Sequence, residues 1–403
     1  MIKDIGEPVT GNGHVRVLQV GGGPKMGGVE KQLLTFLQRY DHKKFSIDVA
    51  CLTTTEGPLR SDYLATSARL ILCQWSSYIV PFIWRLYRLL RREKYDVVHV
   101  RLSEVNGAAI LAAKLAGVAV RISSYHHTMI HWRRPGLMNR LVVGALQWFN
   151  RLLSTKILGN AEASLQAYYP DWRDDPSKFG ICYNGFDVER FTEPQNSSEV
   201  RRELGLPIES LVVGHVGGFV KSKNHKGFIN IAEHILRQIE NVYFLLVGDG
   251  EFMEHVKLEV KNRDLMNRFV FTGNRNDVPR MLAAMDIFAI PSFNEGFPSV
   301  VVEAQLSGLV AVGSDIPGIR EVLCPAMHKF CRAPNDFHGF AREITYLLKD
   351  SALRATLSRQ GKQWASERFC IDKTVRYLES IYSSQAIVGD SWDSTKSNEP
   401  NLP

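Results

Sequence analysis

Short runs of β-branched and aromatic residues alternate with segments of helical period along this chain, and the alternation starts afresh halfway through its 403 residues. That pattern marks parallel sheets with crossover helices. Two rounds of it exceed what one core holds, since single cores stop growing near ~250–300 residues. The first round opens with Val15-Arg16-Val17-Leu18-Gln19-Val20, turns through Gly21-Gly22-Gly23 and Gly27-Gly28, and enters a helix-like segment over 29–40. Residues 46–52, 96–100, 118–123 and 156–158 read as its further strands. The second round opens at Leu211-Val212-Val213 and continues at 243–247, 269–271, 287–290 and 310–312. Between them, 187–210 is rich in Glu, Pro, Asn and Ser and reads as a linker with a short helical piece near 199–204. Residues 351–384 follow a helical pattern, and 387–403 read as a disordered polar tail.

Composition narrows the class. No stretch reaches the ~18 uninterrupted apolar residues of a membrane-spanning helix, and the nearest candidates are broken by Arg85 and Arg140. The first residues lack the charged-then-apolar plan of a secretory signal, so the expected location is cytoplasmic. Six scattered cysteines with no C-x-x-C pair suggest neither a disulfide framework nor a zinc site. The net charge of +7 invites a nucleic-acid reading, but it is local: residues 1–195 hold 25 Lys and Arg against 17 Asp and Glu, and the remainder holds 24 against 25. Within 75–158 the balance is 13 basic to 3 acidic. These arginines fall on amphipathic patterns at 78–92 and 136–153, with no nucleic-acid motif beside them, so nucleic acid is not expected as a partner. Packing would place the apolar sides, with Trp84, Tyr87 and Trp148, on the sheet and leave Arg85, Arg88 and Arg92 solvated. Together with Trp132-Arg133-Arg134, the same faces would also suit an anionic membrane surface.

Several fingerprints fail. Neither the early glycines nor Gly248-Asp249-Gly250 completes G-x-G-x-x-G, and there is no P-loop and no D-x-D pair to hold a divalent metal. His126, His127 and His131 lack a nearby carboxylate and make a weak metal site. The informative stretch is Ile290-Pro291-Ser292-Phe293-Asn294-Glu295-Gly296-Phe297-Pro298-Ser299-Val300-Val301-Val302-Glu303-Ala304. A strand ends, a glycine-containing loop follows, and Pro298 suits the first helical position. Ligands of open α/β sheets bind at the carboxyl ends of strands, so Glu295 stands where chemistry is expected. A carboxylate such as Glu303 accepts two hydroxyls of a sugar diol, and the N–H groups of a helix start hold phosphate.

The pair Glu295 and Glu303 resembles the E-x7-E motif of retaining GT-B glycosyltransferases, family 4 in particular. The supporting segments, in order, are Gly27-Gly28-Val29-Glu30, Tyr183-Asn184-Gly185-Phe186-Asp187, Val247-Gly248-Asp249-Gly250, Phe271-Thr272-Gly273-Asn274-Arg275 and Ser314-Asp315-Ile316-Pro317-Gly318-Ile319-Arg320-Glu321. The resemblance implies an α/β GT-B fold, with two Rossmann-like domains of parallel strands facing each other across a cleft. An acceptor-side domain would cover 1–190, joined by a C-terminal helix near 370–386, and a nucleotide-sugar domain would cover 191–369. It implies transfer from a nucleoside-diphosphate sugar, UDP by family frequency, to a glycan or lipid-linked acceptor, with no cofactor and no metal. Location would be cytoplasmic or peripheral on the inner face of the membrane.

By the same resemblance Glu303 binds ribose hydroxyls, Glu295 contacts the transferred sugar, Lys223 neutralises the leaving diphosphate, and His126 faces the sugar, with His127 as the alternative register. Gly27 and Gly28 let the backbone approach the donor, and Gly296, Phe297, Pro298 and Arg275 complete the donor site. One departure stands out: where the family pattern V-G-R-F-V-x-x-K-N-H has arginine, this chain has Gly218. A catalytically weakened nucleotide-sugar-binding protein is therefore the alternative to an active enzyme.

Overall fold

The computed structural model describes residues 3–5, 14–25, 27–75, 78–128 and 137–383. Eight strands form the first sheet: β1 (Lys3–Ile5), β2 (Val15–Val20), β3 (Phe45–Cys51), β4 (Arg69–Leu72), β5 (Val97–Val100), β6 (Val120–Tyr125), β7 (Lys156–Gly159) and β8 (Phe179–Ile181). Their order is β1-β4-β3-β2-β5-β6-β7-β8. Five form the second: β9 (Leu211–Val216), β10 (Val242–Val247), β11 (Phe269–Phe271), β12 (Ile287–Ile290) and β13 (Val310–Gly313), in the order β11-β10-β9-β12-β13. Every pairing is parallel except that of the short edge strand β1 with β4, so the two sheets are the parallel α/β sheets expected. In each sheet the order reverses beside the first long strand, at β2/β5 and β9/β12, and such switch points open a crevice at the strands' carboxyl ends.

The inner strands are the apolar runs of the sequence, buried on both faces by helices. Of the three strands that run did not reveal, β4 is instructive. Its Arg69 breaks the apolar pattern yet is buried, because the guanidinium donates to Asp48 (2.8 Å), Glu93 (2.9 Å) and the Tyr95 oxygen (3.2 Å). A buried charge survives when paired and hydrogen-bonded in this way.

The helix Asn106–Leu115 lies between Ile79–Glu93 and Leu137–Leu153 on one face of the first sheet. Here the tryptophans depart from expectation: Trp84 and Trp148 are 58% and 59% exposed, as are Leu141 (60%) and Leu152 (57%). Arg85 is also corrected, since two of its guanidinium nitrogens are buried rather than solvated. Trp132, Arg133, Arg134 and the tail from 387 lie outside the described residues. No described helix is long and apolar enough to cross a membrane.

The linker carries the short helices Val188–Thr192 and Ser197–Glu203. The chain returns after Ser351–Phe369, where Phe186 exchanges backbone hydrogen bonds with Phe369 (2.8 Å) and Ile371 (2.9 Å). The final helix, Ile371–Ser383, then packs Ile371, Val375, Leu378 and Tyr382 into the core of the first domain.

Candidate active site

The second-domain wall is built by two loops. After β12 the chain runs from Pro291 to Pro298 and enters the helix Ser299–Leu306, with Pro298 standing as the N-cap, one residue before the helical position expected for it. After β9, the turn Lys221–Lys223 leads into Asn224, whose backbone is left-handed (φ 55°), a conformation asparagine tolerates. The Asn224 amide donates to the carbonyls of Pro291 (3.0 Å) and Pro334 (3.1 Å), and its oxygen accepts from the Gly227 N–H (3.1 Å), capping the helix His225–Leu236. The Phe293 N–H donates to the Ser222 carbonyl at 2.8 Å. These contacts hold the loops together so that the Lys223 ammonium donates to Glu295 Oε1 at 2.6 Å.

Two glycine segments shape these loops. A Cβ on Gly318 would overlap the carbonyl oxygen of Glu295, so the segment 314–321 supports the glutamate loop from behind. Gly248, at φ +136°, lies where a Cβ would overlap the Gly217 carbonyl. Gly218 differs: the nearest atom to a Cβ there is the Asp249 oxygen at 3.7 Å, and its backbone needs no glycine. The position is open rather than sterically forced.

Glu303 lies on the second turn of the helix Ser299–Leu306. Burial pushes its carboxyl up from the usual range, against the lowering pull of Lys31 and Arg190. The opposite wall comes from the first domain. Gly27 caps the helix Gly28–Leu37, and His126 and His127 follow β6. Burial, then the Arg101 charge, then His127 hold the His126 imidazole well below the ordinary histidine range, so it is neutral at pH 7.

Between the walls lies a cavity of about 520 Å³ lined by Gly27, Gly28, His126, His127, Glu295, Gly296 and Phe297. Residues from both sheets' carboxyl edges thus converge on one cleft. Lys223 reaches it through Glu295, while Glu303 and Pro298 stand on the helix behind its rim. Across the cleft mouth the Thr128 hydroxyl donates to Asn294 Oδ1 (3.1 Å). Glu321 of the second domain accepts from the Glu162 N–H (2.7 Å) and the Ala163 N–H (3.4 Å) at the start of a first-domain helix.

Arg275 is not brought to this cleft. Its guanidinium is held by Asp277 (2.8 and 2.7 Å) and Glu203 (2.9 Å), fastening the linker helix Ser197–Glu203 to the second domain. The acid two residues on was the available signal for a structural role. The converse omissions are Asn224, Gly318 and Glu321, which stood inside quoted motifs without an assigned part; the contacts of Asn224 and Glu321 join segments 67 and 159 residues apart, that of Gly318 segments 23 apart, and none leaves a local trace.

Two α/β domains whose sheets face each other across such a cleft, with paired glutamates on a loop and the helix it enters, define the GT-B class of glycosyltransferases. Residues 196–364 match the family model for glycosyl transferases group 1 and residues 26–190 match Glycosyltransferase Family 4, and the chain belongs to that family. Among similar proteins, a UDP-Gal:alpha-D-GlcNAc-diphosphoundecaprenol alpha-1,3-galactosyltransferase of Escherichia coli is 29% identical over 93% of this chain and 97% of its own length. The putative glycosyltransferase EpsF of Bacillus subtilis is 26% identical over 74% of this chain and 79% of its own. The fold is shared with Anabaena HepE, solved with UDP and glucose (TM-score 0.76, 22% identity, 92% of this chain and 100% of that one).

Proposed function

We propose that the protein transfers a hexose, with retention at the anomeric carbon, from a UDP-sugar to a hydroxyl of a lipid-linked glycan during assembly of a cell-surface polysaccharide. The observation that carries the reading is the Lys223–Glu295 pair, set by two interlocked loops at the carboxyl edge of the second sheet and facing His126 across the cavity. The relatives' names support the donor and the acceptor: one uses UDP-Gal and a diphosphoundecaprenol acceptor, and HepE was solved with UDP.

In this reading Lys223 exchanges Glu295 for the departing diphosphate when donor binds, meeting its charge in a partly dehydrated site. Glu295 is thereby released to a sugar hydroxyl, and Glu303 holds the ribose diol. Gly27 and Gly28 admit the backbone to the phosphates, while Gly296 and Phe297 floor the sugar pocket. The bond from the anomeric carbon to the phosphate oxygen breaks, the acceptor oxygen bonds to that carbon from the same face, and the acceptor proton passes to the departing phosphate. No metal takes part, and Glu295 forms no covalent bond to the sugar.

The exposed aromatic and basic face of the helices Ile79–Glu93 and Leu137–Leu153 docks on anionic lipid, which brings a lipid-linked acceptor to the cleft. The test of the whole reading has two arms. UDP-sugars should raise the melting temperature where other nucleoside diphosphate sugars do not, and with EDTA present should yield an α-linked product on a diphospholipid sugar acceptor. Donor binding with neither transfer nor hydrolysis across an acceptor panel would instead favour a nucleotide-sugar-binding protein, the alternative raised by Gly218. Co-sedimentation with anionic but not neutral vesicles checks the docking face.

A further inference from the structure

Behind His126 the cleft narrows to a crevice of about 20 Å³ with Arg101, His99 and Asn184 in its wall. A buried polar chain reaches it from the far end of the sequence. The fully buried Tyr382 hydroxyl, on the C-terminal helix, accepts from Gln19 Nε2 (2.8 Å) and lies 2.8 Å from His99 Nδ1, whose Nε2 lies 2.6 Å from Ser124 Oγ. The Gln19 carbonyl accepts from Arg101 Nε (3.2 Å), and Arg101 NH1 stands 3.5 Å from His126 Nε2. Among the described residues no carboxylate pairs with Arg101, so its charge is not cancelled on the spot.

A guanidinium carries only donors and stays protonated. Whatever it faces at this distance must present a lone pair, even though 3.5 Å is long for a hydrogen bond. The ring form that suits this contact has a lone pair on Nε2 and the proton on Nδ1. A second proton on Nε2 would set two cations side by side in a half-buried site, which Coulomb repulsion opposes strongly.

We propose that Arg101 is a positioning residue that holds His126 as the neutral imidazole with its proton on Nδ1, so that His126 meets the sugar as a hydrogen-bonding group and not as a cationic acid. The proposal rests on the placement of His126 in the transfer site given above. The groups facing the ring are Arg101 and His99 from β5 and its end, His127 beside it, Cys182 and Tyr183 after β8, Glu30 from the first helix and Glu295 from the opposing domain. Of the two carboxylates in the cavity lining, Glu295 is already paired with Lys223, whereas Arg101 touches the ring and, with burial and His127, opposes its protonation. Arg101 is in turn held by Gln19 and, through it, by Tyr382.

The experiment is nitrogen-15 NMR of the histidine rings in the full chain, with His126 assigned by the signal lost in His126→Asn. At pH 7 the wild-type signal should be that of a neutral ring with Nε2 bare. In Arg101→Met the titration midpoint should rise by about one pH unit or more, the scale of a neighbouring like charge, and Arg101→Lys should return most of that shift. A wild-type Nε2–H tautomer, or a wild-type ring already cationic at pH 6, overturns the proposal whatever the variants do. So does an unmoved midpoint in an Arg101→Met protein that melts as wild type does. In transfer assays the acid limb of kcat/KM should move to higher pH in Arg101→Met. An NMR shift without that movement overturns the placement of His126 against the sugar while the Arg101–His126 coupling stands.

Discussion

The two walls of the cleft are built on opposite plans. The second-domain wall is a local assembly: two loops at adjacent strand ends, closed by the Asn224 amide and the Phe293–Ser222 bond, on a nearly neutral domain with one continuous core. The first-domain wall depends on distant parts. It carries the positive surplus, its core is divided into layers above and below the sheet, and its floor is a polar chain ending on Tyr382, 363 residues from Gln19. A wall made of one short segment per element reads out as a motif. One assembled from both ends of the chain does not.

This contrast is most severely tested at Lys223. Lys223→Ala should lower kcat by about 10²–10³, the usual cost of removing one preorganised donor to developing negative charge, with the melting temperature little changed. Sugar transfer and UDP release measure it, and undiminished turnover would remove the second wall's claim to the chemistry. Glu303 gives the next effect. Its carboxyl, raised by burial, protonates earlier than an ordinary glutamate as pH falls, so donor affinity should weaken on the acid side through that raised value. Glu303→Gln should bind donor about tenfold more weakly, by ~1.4 kcal/mol, and without that pH dependence, as titration calorimetry would show.

Glu321 tests whether the walls act together. Glu321→Ala leaves the Glu162 and Ala163 N–H groups without their acceptor and should cost about 1–3 kcal/mol of the interdomain contact. The expected reading is a raised KM with kcat changed less, and more open scattering profiles. The smallest change is expected at Gly218, where the site has room: Gly218→Arg should fold normally and raise turnover a few-fold by restoring a cation to the leaving group. A fall in turnover would show that this chain has reorganised its phosphate contacts around the glycine.

Legibility in the sequence follows the same division. Apolar runs gave the inner strands because burial on both faces demands them, but β4 was hidden by Arg69, whose neutralising partners Asp48 and Glu93 lie on other elements. Glu295 and Lys223 are 72 residues apart, and their pairing was readable only through a family pattern that contains both. Arg275 stands in a motif position, but its partner Glu203 lies 72 residues away on the linker, and nothing local in the sequence shows that pairing. Trp84 and Trp148 were assigned inward because amphipathic spacing cannot say how wide the covered stripe is; the helix Asn106–Leu115 fills the space between their helices and leaves them outside.

The backbone exchange at Phe186 has a mechanical consequence. The chain passes between the domains twice, and these two hydrogen bonds fasten the passages side by side, so the domains are joined at a single place. A link of that kind works as a clasp: it leaves the ladders of both sheets untouched and gathers the connection between the domains into one short seam. Close to that seam Glu321 holds the helix start at Glu162, and Thr128 meets Asn294, so a few contacts set how closely the two walls of the cleft stand.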